Sequence, residues 1–180
     1  VLSSTPLVAI SSQLQNDVFK GILFYLLGYT VTAIGAFGAI VALERREDET
    51  KGNAWDLDRF AGLAARKPGW ALAMTVFMLS LGGVPPTVGF IGKVLLFRAA
   101  VDAGLLGLAV AGMLASAAGV YYYLRVVKLM YFDEPAEDAP IAAAPDMRFI
   151  LSVNSLAIAV LGLMPGQLMS LCAYVLTGGQ

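Results

Sequence analysis

A single lysine sits deep inside an apolar stretch that is too long for one straight helix across a bilayer. Residues 70–103 read WALAMTVFMLSLGGVPPTVGFIGKVLLFRAAVDA. A hydrocarbon core of about 30 Å is crossed by about 20 helical residues at about 1.5 Å each. Counted back from Ala103, Lys93 lies about 15 Å from that membrane face, near the midplane. Its side chain is too short to reach the headgroups from there. An ionisable group at this depth marks an ion or proton pathway, or is held by an acid on another helix. Desolvation disfavours the ammonium, and so does the partial positive charge of a nearby half-helix N-terminus. An amine that can reach its neutral form can give up a proton and take one back.

The element that must position Lys93 is itself interrupted. Gly82, Gly83, Pro85, Pro86 and Gly89 crowd the middle of the stretch. Proline removes a backbone donor, and it pushes the residue before it out of the helical region. The sequence therefore predicts two half-helices, 70–82 and 88–102, with an unwound link near 83–88. Non-helical backbone at membrane depth is tolerated only inside protein or beside water. Broken helices of this kind frame transport sites.

The rest of the chain agrees with a membrane setting. Of 180 residues, 58% are hydrophobic and 14% charged, and the mean hydropathy is +0.75. A soluble domain carries about 25% charged residues, and these would not gather into a few short tracts as they do here. The single cysteine, Cys172, leaves no internal disulfide or cysteine cluster. There is no histidine, hence no histidine-ligated haem or metal site. Neither a cleaved signal nor an initiating Met stands at Val1, and the expectation is the C-terminal part of a longer chain.

In chain order, 1–15 reads as the tail of an earlier helix and 13–17 as a polar loop. A first full span is predicted over 19–43, with Gly28, Thr32, Gly35 and Ala39 on one face for close helix packing. The charged stretch 44–68 reads as a solvated loop. It carries a short amphipathic helix over 55–65, whose face of Leu57, Phe60, Ala61 and Ala64 would lie on the membrane surface. The broken span 70–102 follows. A third span, 105–131, carries a ladder of Ala111, Ala115 and Gly119, with Ser116 at mid-depth to bond a neighbour or a water. Tyr121, Tyr122, Tyr123 and Tyr131, with Arg125 and Lys128, read as an interfacial belt. After an acidic Pro/Ala linker, 147–164 is the last span. Asn154 within it suits a helix–helix hydrogen bond. Pro165-Gly166 stops or kinks this span, and 167–180 is expected as a surface segment.

Arg45, Arg46, Lys51, Arg59, Arg66, Lys67, Arg125, Lys128 and Arg148 fall on one side of these spans, Lys20 and Arg98 on the other. The positive-inside rule makes the first side, with loop 44–68, cytoplasmic. The mixed charge of that loop argues against nucleic acid as a partner. The fold expected is an all-α polytopic transmembrane bundle with one broken helix.

Three motifs together resemble the antiporter-like subunits of respiratory complex I: LSLGGVPPTVGFIGK at 79–93, DLDRFAGLAARKP at 56–68 and YYYLRVV at 121–127. The resemblance covers about 24–166. It is strongest to the subunit N branch of the bacterial NADH–quinone oxidoreductases. In the subunit M branch the lysine position resembles a glutamate. In subunit L and related cation/proton antiporters a lysine there is commonly followed by Asp, whereas here Val94 follows. The resemblance implies a proton-translocating subunit of the bacterial inner membrane, with Lys93 as the functional lysine on the exit side. It implies that flavin, iron–sulfur clusters and quinone belong to other subunits, since these residues carry no dinucleotide fingerprint and no cluster of cysteines. Its partners would be the other membrane-arm subunits and the lipid bilayer. Two further readings stay open: a subunit of a multi-subunit cation/proton antiporter, and a structural membrane subunit whose lysine keeps a fixed charge.

Overall fold

The structure is a computed structural model and describes residues 6–44, 57–134 and 145–177. Among these, every regular element is helical. α1 runs over Pro6–Glu44, followed by a 3-10 turn at Leu57–Phe60 and a single turn, α2, at Leu63–Arg66. α3 (Pro68–Gly82) and α4 (Val88–Asp102) flank the interruption. α5 (Leu106–Phe132), α6 (Pro145–Leu163) and α7 (Pro165–Thr177) complete the bundle. Gln15–Val41 within α1, and α5, are each long and apolar enough to cross a membrane. At 15 residues each, α3 and α4 reach about 22 Å apiece, so neither crosses a 30 Å core alone.

α3 is the axis of the bundle. It is apolar all round, and a helix of that kind is buried rather than faced. Trp70, Ala71, Ala73, Met74, Phe77, Met78, Ser80 and Gly82 are all buried, against α1, α5 and α6. Apolar side chains gain little by exchanging lipid for protein, so helices in a bilayer associate through close backbone approach and dispersion. The small face of α1 supplies that approach. Gly28, Thr32, Gly35 and Ala39 are buried. A Cβ added at Gly28 would lie 3.0 Å from Val88 of α4, and one at Gly35 would meet Phe77 and Asn154. Asn154 donates from Nδ2 to the Val31 carbonyl at 3.1 Å, tying α6 to α1.

Several local expectations are corrected. α1 continues through 13–17, where a loop was expected, and Asp17 pairs with Lys20 one turn on at 3.3 Å. Polar residues without glycine or proline do not stop a helix. Residues 57–66 turn inward instead of lying on lipid: Phe60, Ala61 and Leu63 are buried, and the Gly62 N–H donates to the Leu129 carbonyl of α5 at 3.2 Å. Residues 45–56 and 135–144, the remainder of the two expected loops, lie outside the described residues. On α5 the expected packing ladder faces outward, with Ala111 and Ala115 exposed, while Ala109, Ser116 and Tyr123 turn toward the bundle. Tyr123 thereby leaves the expected belt, whereas Tyr121 and Tyr122 remain exposed, edge to face at 5.7 Å. The segment after Pro165 is a helix, bent 87° from α6. Proline at its first position suits a helix start, and α7 folds back on α1 with Cys172 buried.

Candidate functional site

The interruption is built from the backbone accounts of two helix ends. The last four carbonyls of a helix lack intrahelical donors. Gly83 sits at φ 79°, the left-handed conformation that closes a helix. Its N–H donates to Ser80 and Leu79, and the Val84 N–H donates to Leu79 at 2.9 Å. That leaves the carbonyls of Leu81 and Gly82. Both are taken by Lys93, whose Nζ donates to Leu81 at 3.0 Å and to Gly82 at 2.8 Å. The third Nζ bond goes to Ser116 Oγ on α5 at 2.9 Å.

At the other end Thr87 caps α4. Its side chain accepts from the Phe90 N–H at 3.4 Å and donates to the Val84 carbonyl at 2.7 Å. The two half-helices touch through Gly89, where any Cβ would collide with the Ser80 carbonyl. The Ser80 hydroxyl receives the Gly89 N–H at 3.3 Å and pairs with Thr32 of α1 at 3.1 Å. α6 closes the far side, with Gly162 lying directly on the backbone of Pro86 and Thr87.

The sequence-derived residues thus occupy different parts of one site. Gly83, Pro85 and Pro86 form the link; Gly82 ends α3 and Gly89 lies in the first turn of α4. Lys93 lies one turn further along α4, and its side chain folds back over the link. A Cβ at Gly83 would lie 2.7 Å from Lys93 Cδ, so this glycine serves both the turn and the room for the lysine.

The electrostatic surroundings differ from those the sequence suggests. The amine rests on the C-terminal end of a half-helix, where carbonyls that lack intrahelical donors carry partial negative charge. The three partners of Nζ are neutral oxygens, and none is a carboxylate. An ammonium has three donors, and all three are engaged here.

Ser80, Thr32, Thr87 and Gly162 were not singled out for this site by the sequence. Thr87 immediately before an apolar run carried a legible capping signal. Gly162 gave none, because its partners lie far back in the chain, and Ser80 gave none, because its bond to Thr32 depends on how α1 packs on α3. The charged ends of the bundle also assemble as groups. Lys67 and Arg148 line one groove with Trp70, while Asp17, Lys20, Arg98 and Asp102 line another between α1 and α4. Neither groove includes Lys93.

Comparison with known proteins bears on this arrangement. The family model described as NADH:quinone oxidoreductase/Mrp antiporter, TM matches residues 5–133. The NADH-quinone oxidoreductase subunit N of Myxococcus xanthus is 54% identical over 156 residues, covering 86% of this chain and 30% of that protein. The subunit N of Acidithiobacillus ferrooxidans is 47% identical over 156 residues, covering 86% and 32%. The chain therefore spans about a third of the length of the curated relatives it matches. Among solved structures, respiratory complex I from Thermus thermophilus with bound aureothin superposes with a TM-score of 0.71 at 29% identity, over 91% of this chain and 37% of the matched one. The Mrp complex from Dietzia sp. shares the fold, with a TM-score of 0.69 at 24% identity over 86% and 36%. On the match over residues 5–133, the chain belongs to the NADH:quinone oxidoreductase/Mrp antiporter membrane family.

Proposed function

We propose that this chain is the C-terminal part of a subunit N of a bacterial NADH–quinone oxidoreductase, in the inner membrane among the other membrane-arm subunits. It takes part in proton translocation driven by electron transfer from NADH to quinone, with flavin, iron–sulfur clusters and quinone on other subunits. The observation that carries the reading is Lys93, folded over a helix interruption and held, among the described residues, by three neutral oxygens. A lysine without a carboxylate partner in its contacts has no ion pair to break before it loses a proton. The identity to named subunit N proteins supports the choice of complex. In this reading α3 and α4 make one interrupted crossing over 70–102, beside crossings at 19–43, 105–131 and 147–164.

An affinity-tagged full-length subunit is expected to bring down NADH:quinone oxidoreductase activity, and the purified assembly in vesicles to acidify the lumen when NADH is supplied. Co-purification without NADH oxidation, together with sodium–proton exchange, would assign the chain to a multi-subunit cation antiporter instead. The fold shared with the Mrp complex makes that the natural second outcome.

Orientation is a separate expectation. Lys67 and Arg148 share one end of the bundle, and Lys20 and Arg98 the opposite groove. Arg45, Arg46, Lys51, Arg59, Arg66, Arg125 and Lys128 are read on the Lys67 side, and by the positive-inside rule that excess favours 44–68 in the cytoplasm. A cysteine placed in 44–68 should resist a membrane-impermeant thiol reagent added to intact cells and react after permeabilisation. Labelling in intact cells would reverse the topology.

A further inference from the structure

Of the three oxygens that hold the Lys93 amine, two are backbone carbonyls and one is a hydroxyl. A carbonyl can only accept, whereas a hydroxyl both accepts and donates. An ammonium offers three donors, and the three oxygens satisfy them. A neutral amine offers two donors and one lone pair. Its two N–H groups can stay on Leu81 and Gly82, but the lone pair then needs a donor. Ser116 is the one contact able to reverse its direction and supply it.

A second observation concerns the proton on that hydroxyl. Hydroxyls inside helices usually donate back to a carbonyl three or four residues earlier. Thr30, Thr32, Thr75, Ser155 and Ser170 all do so, at 2.7–3.0 Å. Ser116 does not, and neither does Ser80, whose hydroxyl pairs with Thr32; among the described residues the Ser116 hydroxyl receives the lysine, and its own proton has no acceptor. It is half-buried on α5, at the edge of the cluster.

We propose that Ser116 is the relay through which Lys93 exchanges its proton, a role that rests on reading Lys93 as a proton carrier. The Lys93 ammonium transfers a proton to Ser116 Oγ, and its N–H bond electrons remain as the amine lone pair. In the same step the original Ser116 O–H bond breaks, and that proton passes to a water molecule, which becomes hydronium. One proton moves, the hydroxyl is regenerated and no serine anion forms. Reprotonation runs the same bonds in reverse. The neutral amine is held meanwhile by two carbonyls and the reversed hydroxyl, so the carrier keeps its place in both charge states.

The test uses the whole complex in vesicles, with Ser116→Ala, Ser116→Thr, Ser116→Val and Lys93→Arg compared at equal complex content. Thr and Val have nearly the same shape, and only Thr keeps the hydroxyl. The relay predicts that NADH-driven proton translocation falls about a hundredfold in the Ala and Val variants, the low end for a lost proton-transfer group, while Thr restores most of it. Pumping by Val equal to that by Thr, or wild-type pumping by Ala, would overturn the relay. If either occurs while Lys93→Arg is inactive, Lys93 remains the carrier and Ser116 alone is excluded. Normal pumping by Lys93→Arg would instead remove the carrier reading beneath it. Failure of Ala and Thr alike to assemble would assign Ser116 to packing and also count against the relay.

Discussion

Lys93→Arg is expected to assemble a complete complex that oxidises NADH poorly and pumps little. Guanidinium keeps the positive charge and offers five donors, so it can still cap the Leu81 and Gly82 carbonyls. It does not give up its proton, because its pKa lies above about 12. A group acting only as a fixed charge or a helix cap would be replaced well by arginine. A carrier would not, and translocation at equal complex content should drop about a hundredfold or more. Lys93→Ala should pump as badly but assemble less well. It strips the donor from two carbonyls at membrane depth, and each such loss costs about 1–3 kcal/mol. The pair of variants therefore separates transport from capping: Arg isolates the first, while Ala loses both. Normal proton movement by the Arg variant, measured by vesicle acidification against NADH consumed, would defeat the carrier role.

The second large effect is expected at glycines where backbone meets backbone. A Cβ at Gly162 would collide with the Pro86 carbonyl and lie 2.6 Å from the Thr87 carbonyl carbon. A Cβ at Gly89 would collide with the Ser80 carbonyl. Backbone cannot swing aside as a long side chain can, so either α6 must retreat or the link must shift. Gly162→Ala and Gly89→Ala should each cost about 3 kcal/mol, at the upper end for overpacking a tight core. Gly83→Ala adds a different penalty. Its left-handed backbone disfavours any Cβ by about 1–2 kcal/mol, and the new methyl would push Lys93 off its carbonyls. Gly107→Ala is the control: nothing lies within 4 Å of its position, and alanine suits a helix better than glycine. The midpoint of thermal inactivation of the purified complex should fall for the first three and hold for the control. An unchanged midpoint for Gly162→Ala would mean that α6 does not clamp the link.

The all-helical fold and the interruption were legible in the sequence, because each follows from local chemistry. Long apolar runs demand helices in lipid, and paired prolines with glycines end a helix wherever they occur. Gly28, Thr32, Gly35 and Ala39 announced a buried face because four small residues at helical spacing have one geometric meaning, and they are buried. The same pattern on α5 misled, since Ala111 and Ala115 are exposed. Small residues permit close approach but do not name the partner. The polar stretch 13–17 misled for the opposite reason: polarity resembles a loop, yet no breaker stood in the way.

By itself, then, the sequence determined that Lys93 follows closely on a broken helix inside an apolar stretch, because both are counted along one chain. Only the tertiary structure decided what the amine meets. Reading along the chain put the nearest half-helix N-terminus beside it. The side chain instead folds back over Gly83 to the C-terminal carbonyls of α3 and across to Ser116 on α5. The physical reason is reach. A lysine spans more than a helical turn and can bond to whatever packing brings within that radius. The partners of such a group depend on how α3, α4 and α5 cross, and that crossing is settled by contacts such as Gly162 on Pro86 and Thr32 on Ser80, between residues far apart in sequence.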